Sequence, residues 1–194
     1  VLYPEDHQDF SSSVGKPVFH VETAIMSKDG QLLPTGEIGE IVHKSPHLTL
    51  GYDRQDEKTA EAFLHGWFHS GDLGYFDPTG HLYIVDRIKD MVKTGGENVA
   101  TREVEDVIYR FNGIQEVAVF GIPHPHWIEA VTAVIVIKQG QDINLNALLA
   151  HCKTYLSAYK IPKSVHVVAA LPKNASGKIL KRQLRQDYED LYKK

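Results

Sequence analysis

The 194-residue chain has a single cysteine, Cys152. A disulfide framework is therefore excluded, and a lone thiol points to a reducing compartment. The chain lacks any run of about 18 consecutive apolar residues, the length a membrane-spanning helix needs. Positive charge is not in excess: 21 Lys and Arg against 25 Asp and Glu leave a net charge of −4, which argues against a nucleic-acid binder driven by bulk charge. Internal repeats and low-complexity stretches are missing. So is any cluster with metal-ligand spacing, and His124-Pro125-His126 reads as a loop rather than a zinc site. Neither a signal peptide nor a Met opens the chain, so Val1-Leu2-Tyr3-Pro4 reads as the start of a piece of something longer. The expected compartment is the cytoplasm.

What remains is an ordinary globular composition, 42% apolar and 24% charged, with length for one or two compact units. Charge is unevenly spread. Val1 to Asp86 carries 5 basic and 14 acidic residues, net −9, whereas Arg87 to Lys194 carries 16 and 11, net +5. The texture changes at the same place. The first part predicts short strands at Val21–Met26 and Glu40–His43, a short helix over Asp56–Phe63, and a hairpin of Leu73–Phe76 and His81–Val85 around the Asp77-Pro78-Thr79-Gly80 turn.

The second part alternates helix and strand. Thr101 can cap a helix with Val104, Val107, Ile108 and Phe111 on one face, ended by Asn112-Gly113. Val117–Ile122 and Ala130–Ile137 are near-continuous apolar runs, the mark of strands buried on both faces. Asn144 can cap a second helix in which Cys152 joins Leu145, Leu148, Leu149 and Leu156, making the thiol a core group rather than a nucleophile. Val165–Ala169 predicts a third strand, and Leu180, Leu184, Tyr188 and Leu191 a terminal amphipathic helix. The fold class is α+β: a β-rich segment, 1–86, then a small α+β unit, 87–194, with a central sheet and flanking helices, joined by a hinge at about 87–90.

Three stretches carry chemistry. In Gly66-Trp67-Phe68-His69-Ser70-Gly71-Asp72, an aromatic pair leads into a Gly-Asp corner. A carboxylate fixed there can accept two hydrogen bonds from vicinal hydroxyls, although Gly-Asp alone is a common turn. Asp86 to Asn98 sets Arg87, Lys89 and Lys93 before Gly95-Gly96. Arg offers a planar fork to ribose or phosphate oxygens, and the glycines expose backbone N–H groups; an exposed charged linker reads equally well. Leu171 to Arg182 holds Lys178 after a Ser-Gly turn. A mobile ammonium there suits charge stabilisation on a transferring phosphoryl group, or is simply the solvated start of a helix.

Taken together and in order, these stretches resemble the C-terminal part of an acyl-CoA synthetase of the adenylate-forming superfamily. Ser13-Val14-Gly15-Lys16-Pro17, Pro34-Thr35-Gly36-Glu37-Ile38-Gly39-Glu40-Ile41, Gly51-Tyr52 and Gly121-Ile122-Pro123 extend the likeness through the chain. One departure is local: family members often carry Gly after the Trp of this loop, where Ile128 follows Trp127.

The resemblance implies an AMP-forming acid–thiol ligase. A fatty or related acyl or aryl carboxylate reacts with ATP to give acyl-AMP, and CoA then takes the acyl group. ATP with Mg²⁺, and CoA, are the implied cofactors and substrates. Asp72 and Arg87 would bind the nucleotide ribose, Lys89 would be the hinge, and Lys178 would act in adenylation. Lys93 and the Gly95-Gly96-Glu97-Asn98 loop would serve thioester formation. The family's phosphate loop and acyl pocket would lie upstream of Val1, in the missing N-terminal domain of the same chain, so this piece alone would be inactive. An acyl-AMP-forming ligase or adenylation domain without CoA transfer, or a non-catalytic binding or regulatory module, is the alternative. No nucleic-acid partner and no transmembrane segment are expected.

Overall fold

The computed structural model describes residues 1–193. They form two compact units, Val1–Lys89 and Asp90 onward.

The first unit is built on a four-stranded antiparallel sheet, in spatial order β1 (Glu22–Met26), β2 (Gly39–Lys44), β3 (Phe68–Phe76) and β4 (Leu82–Arg87). Alternation along the strands sends side chains to opposite faces. Ile25, Ile41 and Leu82 form one buried cluster, and Met26, Val42 and Trp67 another. Among the described residues, this unit has one α-helix, α1 (Asp56–Ala62). The register of β3 slips against both neighbours, between Glu40 and Val42 on one side and between Leu73 and Gly74 on the other. Gly71 and Asp72 thus lie inside an irregular strand and not at a corner before a hairpin, as the sequence suggested.

The second unit begins with the hairpin β5 (Val92–Thr94) and β6 (Glu97–Val99), followed by α2 (Thr101–Tyr109). A long antiparallel ribbon comes next, β7 (Ile114–His124) and β8 (Ile128–Ile137), then α3 (Leu145–Tyr155), β9 (Ser164–Val167) and α4 (Lys181–Asp187). Along one edge, β8 pairs with β5 at Thr94–Ile128 and, further on, with β9 in parallel. Both faces of the ribbon are covered. Val119, Val131, Ala133 and Ile135 pack with Val104, Ile108, Leu148 and Cys152 from α2 and α3, while Phe120, Ile122 and Val134 pack with Leu171 and Leu184 on the α4 side. That is why the two runs read as continuously apolar.

Asn144 caps α3, its side chain accepting from the backbone of Asn146 and Ala147. Thr101 does not cap α2. Ala100 holds the cap position, and the buried Thr101 hydroxyl accepts from Lys181 Nζ at 2.7 Å. Gly113 lies beyond the end of α2, with φ +93° in the turn into β7. The terminal helix is shorter than its apolar spacing implied: Tyr188 caps it, and Tyr188 and Leu191 still pack on the core. Among the described residues no helix is long and apolar enough to cross a membrane.

Candidate functional site

In the first unit, Asp72 of β3 and Arg87 of β4 stand opposite each other, and Arg87 Nε donates to Asp72 Oδ1 at 3.0 Å. Both side chains keep access to solvent, at 26% and 40% exposure. The irregular backbone here is held by side chains rather than by regular ladder bonds. Gly71 adopts φ +75°, a conformation open to glycine and costly for other residues. Its N–H donates to Glu40 Oε1 at 3.0 Å, and the Asp72 N–H donates to Ser70 Oγ at 3.0 Å. His43 of β2 is close enough to feel the Asp72 charge. Burial pushes its imidazole below the usual histidine range, and the carboxylate partly opposes this.

Lys89 lies in the 3₁₀ turn Ile88–Asp90, at the boundary of the two units along the chain. Arg87 on one side of it is held in the β3–β4 ladder. Asp90 on the other accepts from Arg185 at 2.9 Å.

In the second unit, the β5–β6 hairpin pairs Lys93 with Asn98 and Thr94 with Glu97, and Gly95-Gly96 forms the turn with φ +59° and +89°. Lys93 and Glu97 are exposed, as are Gly95, Gly96 and Asn98. The hairpin is fastened to the far end of the ribbon. Gly95 N–H donates to Trp127 O at 2.9 Å, and Lys93 N–H to Glu129 Oε2 at 2.7 Å. Glu129 lies over Gly121: a Cβ at Gly121 would come within 2.9 Å of the Glu129 carboxyl carbon. His124 Nδ1 accepts from the backbone of His126 and Trp127, and its ring stacks on Trp127 at 4.4 Å. Ile128 occupies φ +70° with its side chain 65% exposed, a conformation strained for a β-branched residue.

Lys178 sits on a second tip, bridged at its base by Lys173 and Ile179. Asn174 organises this tip. Its Oδ1 accepts from the backbone N–H groups of Ser176 and Lys178 and from the Ser176 hydroxyl. Five basic residues lie between Lys173 and Arg185. Three are committed: Lys173 to Glu116, Lys181 to Glu105, and Arg185 to Asp90. Lys178 is exposed at the tip with no ion-pair partner among the described residues. The tip is fastened beside Glu116 near the start of β7, whereas the Lys93–Asn98 hairpin is fastened beside Trp127, past its end. Glu116 and His124 are eight residues apart on β7, about 27 Å of extended strand.

The structure thus brings Asp72 to Arg87 and Lys93 to the Gly95–Asn98 loop, and keeps Lys178 apart from that loop. Sequence reasoning passed over Glu40, His43 and Asn174. Glu40 was on view in Gly39-Glu40-Ile41, and Asn174 four residues before Lys178, but neither spacing exposes its partners. Among the described residues no group of three or more His, Cys, Asp or Glu side chains converges to hold a metal ion.

Residues 103–178 match the family described as AMP-binding enzyme C-terminal domain, and residues 1–53 match AMP-binding enzyme. A feruloyl-CoA synthase from Amycolatopsis sp. is 43% identical over 176 residues, covering 91% of this chain and 36% of that protein. The ATP-bound structure of MatB from Rhodopseudomonas palustris aligns with a TM-score of 0.90 at 40% identity, over 94% of this chain and 37% of that one. The apo structure of the same MatB, over the same shares of both chains, scores 0.67. The o-succinylbenzoate CoA synthetase MenE from Bacillus subtilis, in complex with its acyl-adenylate intermediate, scores 0.87 at 36% identity, over 95% of this chain and 37% of that one. The chain belongs to the AMP-binding enzymes, and its homologues are acyl-CoA ligases. It spans a little over a third of the length of the curated relatives it matches.

Proposed function

We propose that this chain is the C-terminal part of a cytoplasmic, ATP-dependent acid–thiol ligase that acts with an N-terminal domain of its own chain. In the first step a carboxylate oxygen attacks the α-phosphorus of ATP and pyrophosphate leaves. In the second the CoA sulfur attacks the acyl carbon, the bond to AMP breaks, and the thiol proton is lost to solvent. Asp72 receives the ribose hydroxyls, with Arg87 beside it. Lys178 stabilises charge at the α-phosphate during the first step. Lys93 and the Gly95-Gly96-Glu97-Asn98 turn border the approach of the thiol in the second, after the small unit has pivoted at Lys89. Mg²⁺ accompanies the nucleotide; among the described residues no side-chain cluster fits it.

The observation that carries this reading is the separation of the Lys178 tip from the Lys93–Asn98 hairpin along β7, about 27 Å of extended strand. A ribbon buried on both faces does not bend to bring the two together. One small active centre can therefore use both only in turn, which requires a rigid-body movement. The test is to separate the steps in the complete ligase. Carboxylate-dependent exchange of pyrophosphate into ATP must proceed without CoA, and acyl-CoA must form only when CoA is added. Exchange that requires CoA would overturn the two-step reading. The 194-residue chain alone is expected to catalyse no exchange.

A further inference from the structure

We propose that Glu40 is a positioning residue for Asp72, acting through the Gly71 peptide; this rests on the reading that Asp72 receives the ribose. Glu40 lies on the neighbouring strand β2, and both of its carboxylate oxygens are engaged in the irregular stretch of β3. Oε1 accepts from the Gly71 N–H at 3.0 Å, and Oε2 lies 2.8 Å from His69 Nδ1. The other nitrogen of His69 lies 3.1 Å from the carbonyl of Leu64. Both ring nitrogens of His69 therefore face oxygen atoms of other residues. Glu40 is 20% exposed and His69 14%, so neither side chain is freely solvated.

The arrangement sits where the strand register breaks. The slip in the β2–β3 pairing falls at Glu40, and the slip in the β3–β4 pairing follows Asp72. Within the first slip, the Gly71 N–H that a regular ladder would satisfy with a backbone carbonyl is satisfied by a carboxylate. Side chains alternate across a sheet, so a one-residue slip sends each to the opposite face. Without the Glu40 carboxylate, the Gly71 N–H has lost its partner and regular pairing competes with the bulge. Asp72 would then turn away from Arg87. Space does not make glycine necessary at Gly71, because a Cβ there would meet nothing within 4 Å; the φ of +75° does. Glu40 and Gly71 are thus two halves of one device, a backbone that can take the bulge and a carboxylate that holds it.

The test is kinetic and uses the complete ligase, with pyrophosphate exchange as the readout. Glu40→Ala is expected to raise the KM for ATP by about 10- to 100-fold, the scale of a misplaced contact, and to leave the KM for the carboxylate within about twofold of wild type. Glu40→Gln should recover most of the loss, because its amide oxygen still accepts from Gly71. Glu40→Ala added to Asp72→Ala should add little. A merely structural role would instead move kcat, both KM values and the melting temperature together. Should Glu40→Ala not fold, Glu40→Asp decides, since it keeps the charge but falls a methylene short of Gly71. If Asp72→Ala raises the KM for ATP while Glu40→Ala, or Glu40→Asp where Glu40→Ala does not fold, is wild type, the positioning role is overturned. If Asp72→Ala itself leaves that KM unchanged, it is the ribose reading that fails.

Discussion

Arg87 Nε donates to Asp72 Oδ1 across the β3–β4 ladder, and only that one oxygen of the carboxylate has a partner among the described residues. An ion pair this accessible contributes about 0–1 kcal/mol to folding, whereas a hydrogen bond from a ligand to a charged group is worth about 1.5–3 kcal/mol. Asp72→Ala should therefore lower nucleotide use by roughly 10- to 150-fold and leave the melting temperature almost unchanged. Parallel measurement of ATP dependence and thermal unfolding checks this. A large drop in stability with unaltered ATP dependence would make the pair structural.

Lys178 and Lys93 should separate by half-reaction. Lys178→Ala is expected to slow acyl-AMP formation by about 10²–10³-fold, the cost of losing one preorganised charge stabiliser, and to spare thioester formation from preformed acyl-AMP. Changes in Lys93 or the Gly95–Asn98 turn should do the reverse. Asn174→Ala should follow Lys178→Ala more weakly, because it frees the tip without removing the ammonium. Single-turnover kinetics on each half-reaction decide. Equal slowing of both halves by Lys178→Ala would refute alternation.

Ile88 and Lys89 lie between two fixed points, Arg87 in the sheet and Asp90 held by Arg185. Pro fixes φ, and a pivot has to change it. Lys89→Pro should leave adenylation near wild type and block the thioester step. Trypsin should cleave the untreated protein early at the exposed Lys89. If the first cut fell elsewhere and Lys89 stayed intact, the pivot would have to be sought at another position.

His166 gives a pH dependence whose sign can be worked out. Burial pushes its imidazole below the usual histidine range, and its buried Nε2 has no hydrogen-bond partner. The folded form then resists protonation more than the unfolded chain, which takes up protons below about pH 6.5. The unfolded state binds more protons there, so stability falls as pH drops from 7 toward 5.5. His43 acts in the same direction, again through burial. Urea unfolding at the two pH values should show a shallower acid loss for His166→Leu than for wild type. Identical pH slopes would remove His166 as a source.

Much of this fold is legible in the sequence because its signals are local or strongly periodic. Runs buried on both faces announce β7 and β8, and Asn144 marks the start of α3. Cys152 falls among Leu148, Val104 and Ile108 as its helical spacing implied, and burial pushes its thiol up, out of nucleophile range. Long-range contacts are what the sequence conceals. Thr101 looks like a cap, yet Lys181, 80 positions away, takes its hydroxyl. Gly71-Asp72 looks like a turn because a glycine with positive φ is most common there, and Glu40, 31 positions earlier, keeps it within a strand. The order of motifs singles out Asp72, Arg87 and Lys178 as residues to ask about. It does not reveal that Arg87 faces Asp72, or that Lys173, Lys181 and Arg185 are spent on ion pairs that leave Lys178 exposed.

The length of the β7–β8 ribbon has a consequence for inhibition. If its two ends serve one centre alternately, a compound that traps the Lys178 end there withholds the hairpin end from the same centre. Such a compound would behave kinetically as a competitor of CoA while touching none of the atoms that CoA touches. A compound lodged beside Gly95-Gly96 would likewise compete with ATP from a distance. Competition in a rate plot would then report which orientation a molecule favours, and a shared pattern between two inhibitors would not imply a shared pocket.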